Sequence, residues 1–422
     1  MTDVLRRGRA SLAFSFLAQG ATFALLVTRI PAIQDRYGVS DALLPAFLAA
    51  VPILAGVGSV TTEQLVKRIR PSRLLRWSQP VVLLALLGVG AGDRLVELAV
   101  ALGAFGLAVG ALDASMNMLG VSLQRTYGRS IMLGFHATYS LGGIVGASLA
   151  WVGAHWHLSL FVSYLPVVLV LLPAAFVGSR WYVDGGAASG LEADADGSAD
   201  VDASVDAEVG KGQGESGALV FRLLLPLCLV MTFAYIGDST VSNWSAKYLQ
   251  DVLGSSEQLA TVPYNVYMVM TLVGRAVGDF GVRRFGAVAV VRLGAVVAAL
   301  GFAVVALAPG AWVGMLGFTL LGLGLCVLVP QTFAAAGRLF PGASDAAIAR
   351  LNIFNYVGFL IGSPLVGALG DAWNYRGAML VPMVLVLATL GYARSFAPEP
   401  DRYGDGHERP RTADVGRGSN GL

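Results

Sequence analysis

Apolar stretches about 20 residues long recur along this chain, and that length is what a helix needs to cross a bilayer. Their limits are 11–30, 41–62, 74–92, 95–121, 131–154, 158–179, 219–242, 258–279, 287–308, 311–336, 345–369 and 377–396. A segment exposed to lipid must satisfy its own backbone hydrogen bonds, so each stretch is expected to be a helix. A β-barrel needs short alternating strands, and runs such as PVVLLALLGVG do not alternate. Composition agrees: 55% of the residues are hydrophobic and only 13% charged, against about 25% charged in soluble domains. The expected fold is an all-α integral membrane protein with twelve transmembrane helices.

Lysine and arginine placement sets the orientation. With a cytoplasmic N-terminus, the inner segments collect Arg6, Arg7 and Arg9, then Lys67, Arg68, Arg70, Arg73 and Arg76. Arg125, Arg129, Arg180, Lys211, Arg222, Arg283, Arg284, Arg292, Arg338 and Arg350 follow on the same side. The outer segments hold Arg29, Arg36, Arg94, Lys247 and Arg376. Both termini are therefore expected in the cytoplasm of a cell whose plasma membrane the chain crosses repeatedly. The first apolar run is long and lacks a small-residue cleavage site, so it reads as a retained span.

Charge excludes other classes. The net charge of +2 is sorted by side, and no basic tract suits nucleic acid. The four histidines (136, 155, 157 and 407) form no ligand pattern, so no metal or other cofactor is expected. Nor does any nucleophile constellation mark an enzyme. Cys228 and Cys326 fall inside spans and read as packing residues. No GxxxxGK[ST] loop occurs, so ATP is not the driving force.

Residues 184–217 break the apolar pattern. They are small, acidic and polar, with Lys211 the one base; such a segment cannot bury enough apolar surface to order itself. It reads as a disordered acidic cytoplasmic linker between bundles at 1–183 and 218–397, with a tail at 398–422.

The two halves repeat. A shift of 216 residues, Gln34 onto Gln250, lays QDRYGVSDAL over QDVLGSSEQL without a gap. The same register puts Gly58 on Gly274, Glu63 on Asp279, Lys67 on Arg283, Arg68 on Arg284 and Arg76 on Arg292. Six spans separate equivalent points, so the halves are parallel repeats.

GRAVGDFGVRRFG at 274–286, with its weaker twin GSVTTEQLVKRIR at 58–70, resembles the loop repeated after the second and eighth spans of the major facilitator superfamily. LDASMNMLGVSLQ, GFHATYSLGGIVGA and NWSAKYLQDVLG are similar to its MosC-like and YbjJ-like permeases, distant relatives of fucose permeases. Gln124 and Asn243 depart from that group, which often carries Glu and Asp there. The resemblance implies two six-helix bundles rocking about a midplane cavity. It also implies a cytoplasmic gate of Glu63, Lys67, Arg68, Arg275, Asp279, Arg283 and Arg284. There the acid pairs with the basic residues and faces a helix N-terminus of the other bundle. The basic pairs also fit a simple orientation signal.

Ionisable residues inside spans mark function by default, because burying them unpaired is costly. Asp113 and Asn117, four apart on one helix face, Asp238, His136 and Arg29 are the candidates for transport and coupling. Asp113 and Asp238 suit protonation-coupled switching, or binding of a polyhydroxylated or cationic group. Tyr139, Tyr264, Asn265, Gln331, Asn352, Asn355 and Tyr356 are the cavity candidates. Arg29 also fits an interfacial anchor, His136 a packing histidine, and the two asparagines interhelical glue.

The expected function is secondary active transport of a small organic solute, coupled to protons, by a monomer. A mixed aromatic, amide and acid lining without a dense sugar-binding signature favours export. Import of a sugar-like or cyclitol solute is the alternative, and a non-transporting receptor on the same fold is the rival from another class.

Overall fold

The computed structural model describes residues 3–39, 44–184, 213–256, 259, 262–340 and 344–397. These residues form helices and connecting turns, with no strand among them. The first half holds α1 (Asp3–Thr28), the short α2 (Ile30–Tyr37), α3 (Leu44–Leu65), α4 (Pro71–Ala91), α5 (Leu95–Tyr127), α6 (Met132–His155) and α7 (Leu160–Gly178). The second holds α8 (Gln213–Lys247), α9 (Val262–Phe285), α10 (Ala287–Leu307), α11 (Ala311–Leu325), α12 (Leu328–Leu339), α13 (Ser344–Ala372), α14 (Tyr375–Ala378) and α15 (Leu380–Tyr392).

Among the described residues, ten helical segments are long and apolar enough to cross a membrane. The other two crossings are α3 and α9, of 22 and 24 residues. Both lead into the repeated polar loop motif; in α9 its Arg275 and Asp279 lie within the helix and dilute the apolar character, whereas α3 is as apolar as its neighbours. Twelve crossings in two six-helix bundles result, as expected.

Two expected spans are each built from two helices. The span at 311–336 breaks between α11 and α12, and the span at 377–396 between α14 and α15. Pro330 and Pro382 explain both breaks. Each lacks an N–H and leaves the carbonyl four residues earlier, on Cys326 or Ala378, without its helical partner. Arg275 Nε donates to the Cys326 carbonyl at 3.4 Å.

Packing follows the repeat. Within the first bundle α1 lies along α6, and α5 lies against α3 and α4. Within the second, α8 lies along α13, and α11 against α9 and α10. The bundles meet chiefly at α3 with α13 and at α6 with α9. Small residues allow the close approaches that membrane helices use in place of a hydrophobic drive. A Cβ on Gly142 would lie 2.0 Å from the Leu17 carbonyl oxygen, and one on Gly146 2.3 Å from that of Ala21. Their counterparts at the 216-residue shift, Gly358 and Gly362, press on α8 at Thr232 and Ile236 in the same way.

Asp184, the first residue of the expected linker, is anchored. Its two carboxylate oxygens accept from Ser72 N at 3.0 Å and Ser72 Oγ at 2.6 Å, in the first turn of α4, where a negative charge is favoured. The remainder of the linker up to 212 and the tail from 398 lie outside the described residues. α8 starts at Gln213, ahead of the expected 219.

Gly142→Val is expected to lower thermal stability by about 1–3 kcal/mol or to abolish folding, because a backbone carbonyl cannot move aside as a side chain can. Gly56→Ala, where a Cβ meets nothing within 4 Å, should be neutral or stabilising. Thermal unfolding of the two purified variants separates these outcomes.

Candidate functional site

The polar groups of the membrane-spanning region gather along the seam between the bundles. Asp113 sits mid-way along α5 and accepts from both sides of that seam. Gln19 Nε2 of α1 donates to Oδ1 at 3.0 Å. Tyr356 OH and Asn355 Nδ2 of α13 donate to Oδ2 at 2.9 and 3.3 Å. Asn355 Nδ2 also donates to Asn352 Oδ1 at 2.9 Å, and Asn352 Nδ2 to Ser59 Oγ of α3 at 2.8 Å. One turn beyond Ser59, Glu63 forms an ion pair with Arg350. A ladder of polar pairs thus runs along α3 and α13 from mid-helix to the basic end of the molecule.

A second line crosses from α5 to α6. Asn117 Nδ2 donates to the Asp113 carbonyl at 2.9 Å, and its Oδ1 meets His136 Nε2 at 3.3 Å. His136 is buried between the rings of Phe16 and Phe333, 5.3 and 6.3 Å away. Arg275 of α9 reaches into the other bundle, where Nη1 donates to Ser140 Oγ at 2.7 Å and to the His136 carbonyl at 3.4 Å. Asp238 accepts from Tyr267 OH, and the Tyr267 ring stacks on Tyr264 at 6.2 Å. That contact stays within the second bundle.

At the basic end, Asp279 of α9 receives the start of α6. Its Oδ1 accepts from Ser130 Oγ at 2.6 Å and Leu133 N at 3.4 Å; its Oδ2 accepts from Gly134 N at 2.8 Å. Gln124 Oε1 takes Ile131 N and Met132 N at 2.9 and 3.1 Å. Four successive N–H groups that a helix start leaves orphaned are filled, two from each bundle. The carboxylate also meets the positive end of the helix dipole.

Several expected site residues stand elsewhere. Asp279 faces a helix N-terminus of the other bundle, as the resemblance implied, but its carboxylate forms no ion pair with Arg283 or Arg284. Arg283 Nε instead donates to the Asp279 main-chain oxygen at 3.0 Å. Arg68, Arg283 and Arg284 are exposed, and Lys67 Nζ bonds Gln64 Oε1 at 3.0 Å. A charge at headgroup depth is better solvated there than packed in the seam, so these basics lie outside the closed contact. Arg29 does not join the central cluster either. Its guanidinium donates to the Ala150 and Leu158 carbonyls at 3.3 and 3.1 Å, tying down the far end of α6. Tyr139 is partly buried, while Tyr264 and Asn265 are exposed. Gln331 is fully buried, and its carboxamide has no partner among the described residues. Gln19, Ser59, Ser130 and Arg350 belong to the site but escaped the sequence reading as site residues, whereas Ser140, a polar residue of the fifth span, reads as a candidate for the transport path. Gln19 alone left a signal, as the amide inside the apolar run SFLAQGATF.

Two six-helix bundles packed along a polar seam make a multi-pass membrane architecture. The family model of the Major Facilitator Superfamily matches residues 227–417. An uncharacterized transporter of Sinorhizobium fredii, y4wD, is 25% identical over 371 residues, covering 86% of this chain and 92% of its own. Membrane protein MosC of Rhizobium meliloti is 24% identical over 401 residues, covering 93% and 91%. The structure of FucP in the outward conformation superimposes with a TM-score of 0.74 at 16% identity, over 92% of this chain and 98% of that one. Over most of its length the chain is similar to transporters of the major facilitator superfamily, and its helices are those of a multi-pass membrane transporter.

Val121 of α5 and Gly337 of α12 touch across the seam near the basic end, where a Cβ on Gly337 would lie 2.0 Å from Val121 Cγ1. A Val121→Cys reporter in a background lacking Cys228 and Cys326 should react slowly with thiol reagents. Adding Asp279→Asn removes the charge from the α6 start, worth up to about 2 kcal/mol when partly buried. Labelling should then rise several-fold, to about thirtyfold at most. An unchanged rate would show that the cap does not hold this end closed.

Proposed function

We propose that the chain is a proton-coupled secondary active transporter of a small polar organic solute, working by alternating access, with Asp113 as the coupling group. The observation that carries this reading is the double allegiance of the Asp113 carboxylate, which accepts from α1 of its own bundle and α13 of the other. An ionised carboxylate only accepts, whereas a protonated one gives up part of that capacity. Tyr356 can turn its hydroxyl to accept, but Asn355 presents Nδ2, which can only donate and is also held by Asn352 Oδ1. Protonation therefore releases a contact between the bundles, and movement of the bundles in turn alters the cost of holding the charge.

In this reading the basic end is cytoplasmic, both termini lie there, and the seam held by Asp279 and by Glu63–Arg350 is the closed cytoplasmic gate of an outward-facing state. Asp238 with Tyr267, together with Tyr264, Asn265, Tyr139 and Gln331, supply the acid, amide and aromatic groups that receive the solute. Each chain holds a whole pathway between its own bundles and acts as a monomer in the plasma membrane. Export in exchange for protons remains the first direction, from the mixed lining. Import with a proton is the second, supported by the fold likeness to FucP, described as the E. coli fucose:proton symporter.

Solute screening in everted vesicles, with and without a proton gradient, tests both directions. Asp113→Asn keeps an acceptor oxygen but cannot exchange a proton, so it should lose gradient-driven accumulation while retaining solute exchange. Accumulation at the wild-type level would remove Asp113 from the coupling role. Loss of exchange together with folded yield would make it structural.

A further inference from the structure

A groove of about 460 Å³ opens on the side of the first bundle between α4 and α5, away from the seam. Ala104, Ala108 and Ala111 line it on one face of α5, with Leu107 beside them. Trp77 of α4 forms its lip, 60% exposed and edge-on to Phe176 at 6.2 Å. Arg73 stands at its basic end, one turn before Trp77. The Arg73 guanidinium is exposed and makes no hydrogen bond or ion pair with a described residue. Arg70 and Arg76 beside it are likewise exposed.

The internal repeat provides a control. α4 and α10 start 216 residues apart at Pro71 and Ala287, and α5 and α11 at Leu95 and Ala311. In that register Ala289 replaces Arg73 and Leu293 replaces Trp77. Leu320 and Val327 replace Ala104 and Ala111, adding bulk where the first half has methyl groups. The fold therefore needs neither the groove nor its cation, since the second half packs the same helices with different chemistry.

We propose that this groove binds one anionic phospholipid from the leaflet on the basic side. Its phosphate lies on the Arg73 guanidinium and one acyl chain runs along Ala104, Ala108 and Ala111. A guanidinium pairs with phosphate through two parallel N–H donors. An indole favours the depth where headgroups meet chains. Leaving the bilayer for an apolar groove gains an acyl chain no hydrophobic free energy, so selectivity rests on the charge and retention on the fit.

The test is native mass spectrometry of the full-length protein, delipidated and then offered phosphatidylglycerol or phosphatidylcholine in mixed micelles. Wild type should retain one phosphatidylglycerol in preference to phosphatidylcholine. Arg73→Gln should weaken that retention about fivefold, the factor one basic side chain near a membrane surface is worth. The pair Ala104→Leu with Ala111→Val, which copies the second half, should weaken it with Arg73 intact. Arg283→Gln, an exposed cation at the same end outside the groove, should change nothing. Equal retention of the two lipids would overturn the proposal. So would equal losses from Arg73→Gln and Arg283→Gln, or a filled groove that binds as wild type does. Thermal unfolding of each variant separates loss of lipid from loss of fold.

Discussion

A helix that starts inside a packed membrane protein presents N–H groups that water cannot reach, and something must accept from them. At α6 the acceptors come from two bundles. Gln124 serves Ile131 and Met132 from within the first, and Asp279 serves Leu133 and Gly134 from the second. The contact between the bundles at this end is thus also the cap of one of their helices. Separating the bundles leaves two donors and a carboxylate unpaired together, a linked cost that an ordinary surface salt bridge does not carry.

The two seams are related by the repeat yet are built differently. Glu63 and Asp279 are counterparts at the 216-residue shift. Glu63 meets a long side chain, Arg350, whereas Asp279 meets backbone N–H groups as well. A long guanidinium can follow its partner through a small displacement; a helix start cannot. The α6–α9 seam therefore acts as the stricter of the two contacts. The α3–α13 seam, through Ser59, Asn352 and Asn355, connects back to Asp113.

Much of this was legible in the sequence. Apolar windows located the crossings because the bilayer demands a fixed length. The register of 34–76 on 250–292 disclosed the repeat, and the same shift pairs Gly142 with Gly358. Asp113 stood out as a carboxylate with no business in an apolar helix. Its partners could not be read: Asn355 and Tyr356 come close only when the bundles dock, and no local pattern encodes that. The basic pairs misled for the opposite reason. Their spacing is a strong local signal, but solvation at the membrane surface draws Lys67, Arg68, Arg283 and Arg284 out of the contact. Arg29 looked like a pathway residue because it is a charge at a span end. The buried carbonyls of Ala150 and Leu158 instead claim its guanidinium. The breaks before Pro330 and Pro382 were not legible from proline alone, since Pro52, Pro80, Pro166, Pro173, Pro226 and Pro364 lie inside continuous helices.

The shared cap on α6 also bears on the order in which the chain is made. A ribosome delivers residues up to Asp184 first, and these include the acceptor that Ser72 needs and the amide that fills Ile131 and Met132. They do not include the acceptor for Leu133 and Gly134, which arrives only when α9 is inserted. During biosynthesis the first half therefore waits with one helix end unfinished. That vacancy favours a partner carrying an acid at the right depth, so the second half completes the first as it docks.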